Sequence, residues 1–147
     1  MSNLRPSPHF IAIVASIEIL RPVDEAWSII GSYGDAGRFI DTASMLLSGH
    51  GEIGSVRQIG DGIVEVLIGL SRHAYTYAQI QGPMAPFTYH GCLDLRMETA
   101  TTSRLLYTLS YDQADMDEAR RQQEFDRITK RFNDVVKTMK LCAEGQA

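Results

Sequence analysis

Residues 10–20, FIAIVASIEIL, are apolar at most positions and rich in Ile and Val, which predicts a first strand. Arg21-Pro22-Val23-Asp24-Glu25 then opens a helix. Proline is tolerated in a first turn, and the two acids suit the positive end of the helix dipole. Ala26, Trp27, Ile29 and Ile30 give that helix an apolar face, Gly31 and Gly34 stop it, and DAGRFID (35–41) supplies a second short helical piece. Short apolar runs follow, separated by turn residues: 44–51, 55–60, 62–70, 73–80, 87–98 and 103–112. Asp61-Gly62 predicts a tight hairpin turn between the second and third of these runs. From Asp115 the period changes. Phe125, Ile128, Phe132, Val135, Val136 and Met139 fall in steps of three and four, the stripe of a long amphipathic helix over about 115–141. Asp115 is the expected cap, with Glu118 three residues on, and Lys137 and Lys140 lie near the negative end.

The predicted order is β-αα-β₆-α, an α+β fold. Seven antiparallel strands would form a curved sheet around the long C-terminal helix, with two short helices between strands 1 and 2. The sheet buries its concave face on the helix stripe. Curvature can leave a gap between the two, and such gaps hold small apolar ligands.

A chain of 147 residues predicts one domain, 1–147, with residues 1–9 a loose N-terminal arm. Glu18 interrupts the N-terminal apolar run and no small-residue cleavage site follows, so a strand is preferred there to a signal peptide. A net charge of −4 with no basic block argues against nucleic acid or an anionic membrane as the main partner. Cys92 and Cys142 lack metal-ligand spacing and read as two free thiols of a reduced, cytoplasmic protein. No His, Cys and carboxylate cluster is readable, so no metal or cofactor is expected. The arginines at 119–123 read as a solvated helix face.

The element order resembles the helix-grip fold of the SRPBCC superfamily, over about residues 10–142. That group includes START lipid carriers, the birch pollen allergen, bacterial polyketide cyclase/dehydrase-like proteins and the plant abscisic acid receptors. Local marks are Pro22-Val23-Asp24-Glu25-Ala26-Trp27, Gly54-Ser55-Val56-Arg57, Gly62 with Glu65-Val66-Leu67, Tyr75-Thr76-Tyr77, Gly82-Pro83 and Phe87-Thr88-Tyr89. The branch most similar is the short polyketide cyclase/dehydrase-like one. The resemblance implies a cavity between the sheet and the last helix. The receptors' cavity glutamate matches Glu65, and their pocket tyrosine matches Tyr89. Their acidic residue on the last strand falls near Tyr107, so that carboxylate is absent here. Residues 41–49 contain no Lys, so their route for anchoring a ligand acid is missing, as is their proline-rich gate loop in LIGLS (67–71). Hormone perception is therefore not expected.

Glu65 is the anomaly in the apolar run GIVEVLIGL (62–70). If it points inward, alternation sends Ile63, Leu67 and Gly69 inward too, and Val64, Val66 and Ile68 outward. That apolar outer set would need cover from the N-terminal strand or from a homodimer partner. In an apolar cavity Glu65 would have a raised pKa, suiting a general acid or base. Alternatively it pairs with Arg57 on the adjacent strand. Tyr75 and Tyr77 share one strand face, Tyr107 and Tyr111 another with Leu109 between them, and Tyr89 a third with Leu93. Rings with hydroxyls suit a flat aromatic or polyketide-like ligand. Tyr75, Tyr77, Tyr111, Arg57, Leu67, Leu93, Leu109, Ile128 and Phe132 are the expected ligand-binding residues, with Glu65, Tyr89 and Tyr107 as catalytic candidates. The expected function is binding of a small hydrophobic or aromatic molecule. Three versions stay open: a cofactor-free cyclase, dehydratase, isomerase or lyase; a carrier or sensor; and a co-chaperone-like interaction module.

Overall fold

The computed structural model describes residues 9–146. The expected loose arm therefore lies, except for His9, outside the described residues. Strand β1 (Phe10–Ile19) leads into helix α1 (Val23–Ile30), a single 3-10 turn (Tyr33–Asp35) and the one-turn helix α2 (Gly37–Ile40). Strands β2 (Ser44–Ser48), β3 (Val56–Ile59), β4 (Ile63–Ser71), β5 (Ala74–Gln81), β6 (His90–Met97) and β7 (Ser103–Asp112) follow. Helix α3 (Glu118–Ala143) closes the chain. The seven strands form one antiparallel sheet in the order β1-β7-β6-β5-β4-β3-β2. This is the helix-grip arrangement.

Alternation along the strands decides which side chains face α3. On β7 every second residue from Ser103 to Tyr111 is buried, and Tyr75, Tyr77 and Gln79 are buried on β5. Pro22 occupies the N-cap position of α1, and Asp24 and Glu25 lie in its first turn. Gly31 ends α1 where any Cβ would overlap the Trp27 ring. The core joins Ile13, Ile19, Ile30, Leu93, Leu105 and Leu109 to Ile128, Val135, Val136 and Met139 of α3.

Several boundaries differ from expectation for local reasons. Gly60, at φ 58°, is the left-handed residue of the β3–β4 turn, rather than Asp61-Gly62 forming a two-residue turn. Residues 87–89 are not strand, because Ala85–Phe87 forms a 3-10 turn around Pro86 and Thr88 is left-handed at φ 54°. Asp117, not Asp115, caps α3, accepting from the Arg120 N–H at 2.8 Å. β4 carries a bulge between Leu67 and Gly69: Leu67 pairs Tyr77 whereas Gly69 pairs Thr76. The extra residue moves Gly69 onto the outer face, against strict alternation. β1 lies at the far edge with β7, β6 and β5 between it and β4, so it cannot cover Val64, Val66 and Ile68.

The helix stripe also begins later than its sequence pattern. Phe125 is exposed, and the buried residues of α3 start at Ile128. The first ten residues of α3 therefore contribute no buried side chain. That end of the helix stands away from the core, and a cavity opens there.

Candidate functional site

Arg57 on β3 and Glu65 on β4 are directly opposed in the register and share the concave face. Both are almost fully buried, at 2% and 5% exposure. Arg57 Nε and Nη2 each lie 2.9 Å from Glu65 Oε1. Arg57 Nη1 donates to the Tyr33 carbonyl at 3.0 Å and to the Tyr75 hydroxyl at 3.4 Å. The guanidinium also sits 4.1 Å from the Tyr33 ring centroid and 4.5 Å from that of Tyr77, within cation–π range. Tyr33 in turn donates its hydroxyl to the Glu65 backbone carbonyl at 2.9 Å. A buried charge needs a partner and satisfied hydrogen bonds, and Arg57 has both.

Burial pushes the Glu65 carboxyl above its ordinary range; the Arg57 charge and hydrogen bonds, with a further one from Gln79, pull it back. Burial likewise holds the phenols of Tyr33, Tyr77, Tyr89 and Tyr107 above their usual value. These tyrosines are protonated donors at neutral pH. Tyr77 and Tyr107 join hydroxyl to hydroxyl at 2.8 Å, and the Tyr107 ring packs on Phe132 with centroids 4.7 Å apart. The hydroxyl end of the Tyr77 ring lies over Gly91 of β6, where any Cβ would overlap it. Gln79 accepts from the Met84 N–H at 2.8 Å, which ties the loop after β5 to the sheet.

These groups wall a cavity of about 320 Å³ between the sheet, α2 and the first half of α3. Among the expected residues, Arg57, Glu65, Tyr77, Tyr89, Tyr107 and Phe132 line it. Tyr75, Tyr111, Leu67, Leu93, Leu109 and Ile128 do not; they are core. Tyr75 is enclosed by Trp27, Tyr33 and Tyr77. The others are buried in the hydrophobic core cluster. Glu65 thus faces the cavity and pairs with Arg57 at once, so the two alternatives open in the sequence are compatible.

The Tyr89 hydroxyl makes no hydrogen bond among the described residues, although Tyr89 is only 6% exposed and lines the cavity. Four further wall residues escape sequence reading: Arg120, Glu124, Arg127 and Arg131. Their spacing of four, three and four places them on one helix face, which was the available signal. The arginine-rich start of α3 is accordingly not wholly a solvated face. Arg120 stacks 4.7 Å from the Phe87 ring centroid, and Arg121 donates to the Gln113 carbonyl at 3.1 Å. Gln79, Ile59, Ile63 and Met84 also face the cavity.

Among the described residues no group of three or more His, Cys, Asp or Glu side chains could hold a metal. Asp24 contacts His73 Nε2 at 2.6 Å, in a turn remote from the cavity wall, and His73 stands outside the strand expected for it. No described helix is long and apolar enough to cross a membrane.

No family model matches the chain, and no curated protein matches it. Solved structures do. A protein from Nitrosospira multiformis superposes with a TM-score of 0.76 at 19% identity, covering 88% of this chain and 94% of that one. One from Thermobifida fusca gives 0.76 at 16% identity, covering 92% and 94%. The protein XoxI from Bacillus cereus gives 0.72 at 21% identity, covering 88% and 92%. At these identities the likeness shows the fold, over nearly the whole of each chain.

Proposed function

We propose that the protein binds a small, mainly apolar molecule in this cavity, with a carbonyl, phenolate or acid oxygen at its polar end. The observation that carries this is the Tyr89 hydroxyl. It is a nearly buried donor without a protein partner among the described residues, facing a cavity in which Arg57 is paired with Glu65 and Tyr77 with Tyr107. The hydroxyl is open to the cavity, so an oxygen delivered there can accept its hydrogen bond. Ile59, Met84 and Phe132 supply the apolar wall. The helix-grip arrangement supports kinship with the polyketide cyclase/dehydrase-like branch of the SRPBCC superfamily, whose members use such a cavity.

A second, catalytic reading is favoured by Glu65. One carboxylate oxygen takes both Arg57 contacts, which leaves the other free to meet Gln79 or a bound molecule. Burial brings its pKa nearer neutrality, as a general acid or base requires. Glu65 would then move a proton on a ligand whose carbonyl is held by Tyr89, or by Tyr107 with its partner Tyr77. Cyclisation, dehydration, isomerisation and retro-aldol-type cleavage are the cofactor-free reactions open to that pair. Without turnover, the same residues describe a carrier.

Native mass spectrometry of the purified protein tests binding: a retained small molecule is expected, and an interior that takes up no apolar compound would overturn both readings. Glu65→Gln separates them. Loss of turnover with binding retained supports catalysis; unchanged turnover removes Glu65 as the catalyst.

A further inference from the structure

Arg120, Glu124, Arg127 and Arg131 turn one charged face of α3 toward the cavity. With Arg57 and Glu65, the wall holds four arginines against two glutamates, a balance of +2 in a chain of net charge −4. Both glutamates are already matched. Glu65 pairs with Arg57, and Glu124 with Arg127 at 2.6 Å. Arg120 rests on Phe87. Arg131 alone among these arginines makes no ion pair, hydrogen bond or ring contact with the described residues, yet its charge is felt at both Glu65 and Tyr89. An exposed, unmatched guanidinium and an unmatched phenol hydroxyl therefore line one cavity.

We infer that the ligand is an apolar carboxylic acid bound as its anion, its carboxylate held between the Arg131 guanidinium and the Tyr89 hydroxyl. The inference rests on the cavity being a binding site and names what that site selects. A planar guanidinium and one hydroxyl match a planar monoanion, and charge-assisted hydrogen bonds of this kind are the strong ones. Glu65 does not repel the ligand, because Arg57 neutralises it. The ring body of the acid lies against Phe132, Met84 and Ile59. The acid is thus gripped from the last helix; the strand residues 44–48 do not line the cavity and carry no cation.

The test compares 2-naphthoate with 2-acetonaphthone, which has the same rings and a carbonyl but no charge, by calorimetry on the full chain at neutral pH. Naphthoate is expected to bind about tenfold tighter or better, with the preference shrinking at high salt. Arg131→Gln should bring the two probes to near parity, lowering the affinity for naphthoate far more than that for the ketone. Arg131→Lys should restore part of the preference, and Lys130→Gln, on the neighbouring exposed position, should leave it intact. Equal binding of both probes to the unaltered protein, or a preference that survives Arg131→Gln, overturns the inference and leaves the cavity reading standing. Failure to bind either probe, in protein that also retains no small molecule, overturns both.

Discussion

Replacing Arg57 by Met removes the only cation among the described residues that touches Glu65, and keeps most of the side chain's volume. Glu65 is then a carboxylate at 5% exposure without its two 2.9 Å contacts, and the Tyr33 carbonyl loses its donor. Breaking a buried pair from one side costs about 3–5 kcal/mol. For a domain of this size that lowers the melting temperature by roughly 10 °C. Glu65→Leu should cost a similar amount, since it strands the guanidinium. The double variant should cost no more than about 3 kcal/mol, because the Tyr33 carbonyl and the weakly bonded Tyr75 hydroxyl are left unserved while an apolar pair can replace a buried ion pair at little loss. Urea unfolding followed by the fluorescence of Trp27, the sole tryptophan, measures all four corners of the cycle. pH supplies a second readout. In Arg57→Met the Glu65 carboxyl is raised further, so the folded state binds a proton more tightly than the unfolded one. Stability is then full below the ordinary carboxylate value near 4.5 and is lost as pH rises through the raised one. The variant should be more stable in mildly acidic than in mildly alkaline buffer. Additive single costs, within about 0.5 kcal/mol, would refute the coupling.

Gly91→Ala should destabilise by about 1–3 kcal/mol and weaken ligand binding, because the new Cβ displaces the Tyr77 ring from its contact with Tyr107; unchanged stability and affinity would refute this. Tyr107→Phe should cost about 1–3 kcal/mol by stranding the Tyr77 hydroxyl, whereas Tyr77→Phe with Tyr107→Phe should cost little more than the single change, as chemical denaturation would show. Asp117→Ala should lower stability by about 1 kcal/mol through loss of the α3 cap, and Asp115→Ala should not.

The fold was legible because period alone distinguishes its parts. Steps of two mark β5 and β7, and steps of three and four mark the buried half of α3. What period cannot register is a residue out of phase. The bulge at Ile68 turns Gly69 outward, and Thr88 takes a left-handed conformation with nothing in its residue type to announce it. The Arg57–Glu65 pair was foreseeable because hairpin register sets cross-strand neighbours. The division of the tyrosines into cavity wall and core was not, since Tyr75 and Tyr77 share a face and differ only in what the α1 region lays over Tyr75. The charged stripe of α3 was visible as a spacing, but it looks identical to a solvated face until the helix is seen to stand off the sheet.

Tyr33 gives the Arg57–Glu65 site a place in time as well as in space. It belongs to the segment between β1 and β2, yet its carbonyl accepts a hydrogen bond from Arg57 and its hydroxyl donates to the backbone of β4. The guanidinium cannot leave water on good terms until β3, β4 and this connecting segment have all met. Its dehydration therefore belongs to the late, downhill side of folding. Tyr33→Phe is expected to speed unfolding while leaving the folding rate almost unchanged. The persistence of the native state, more than its speed of formation, then depends on one phenol hydroxyl that the strand pattern never indicated.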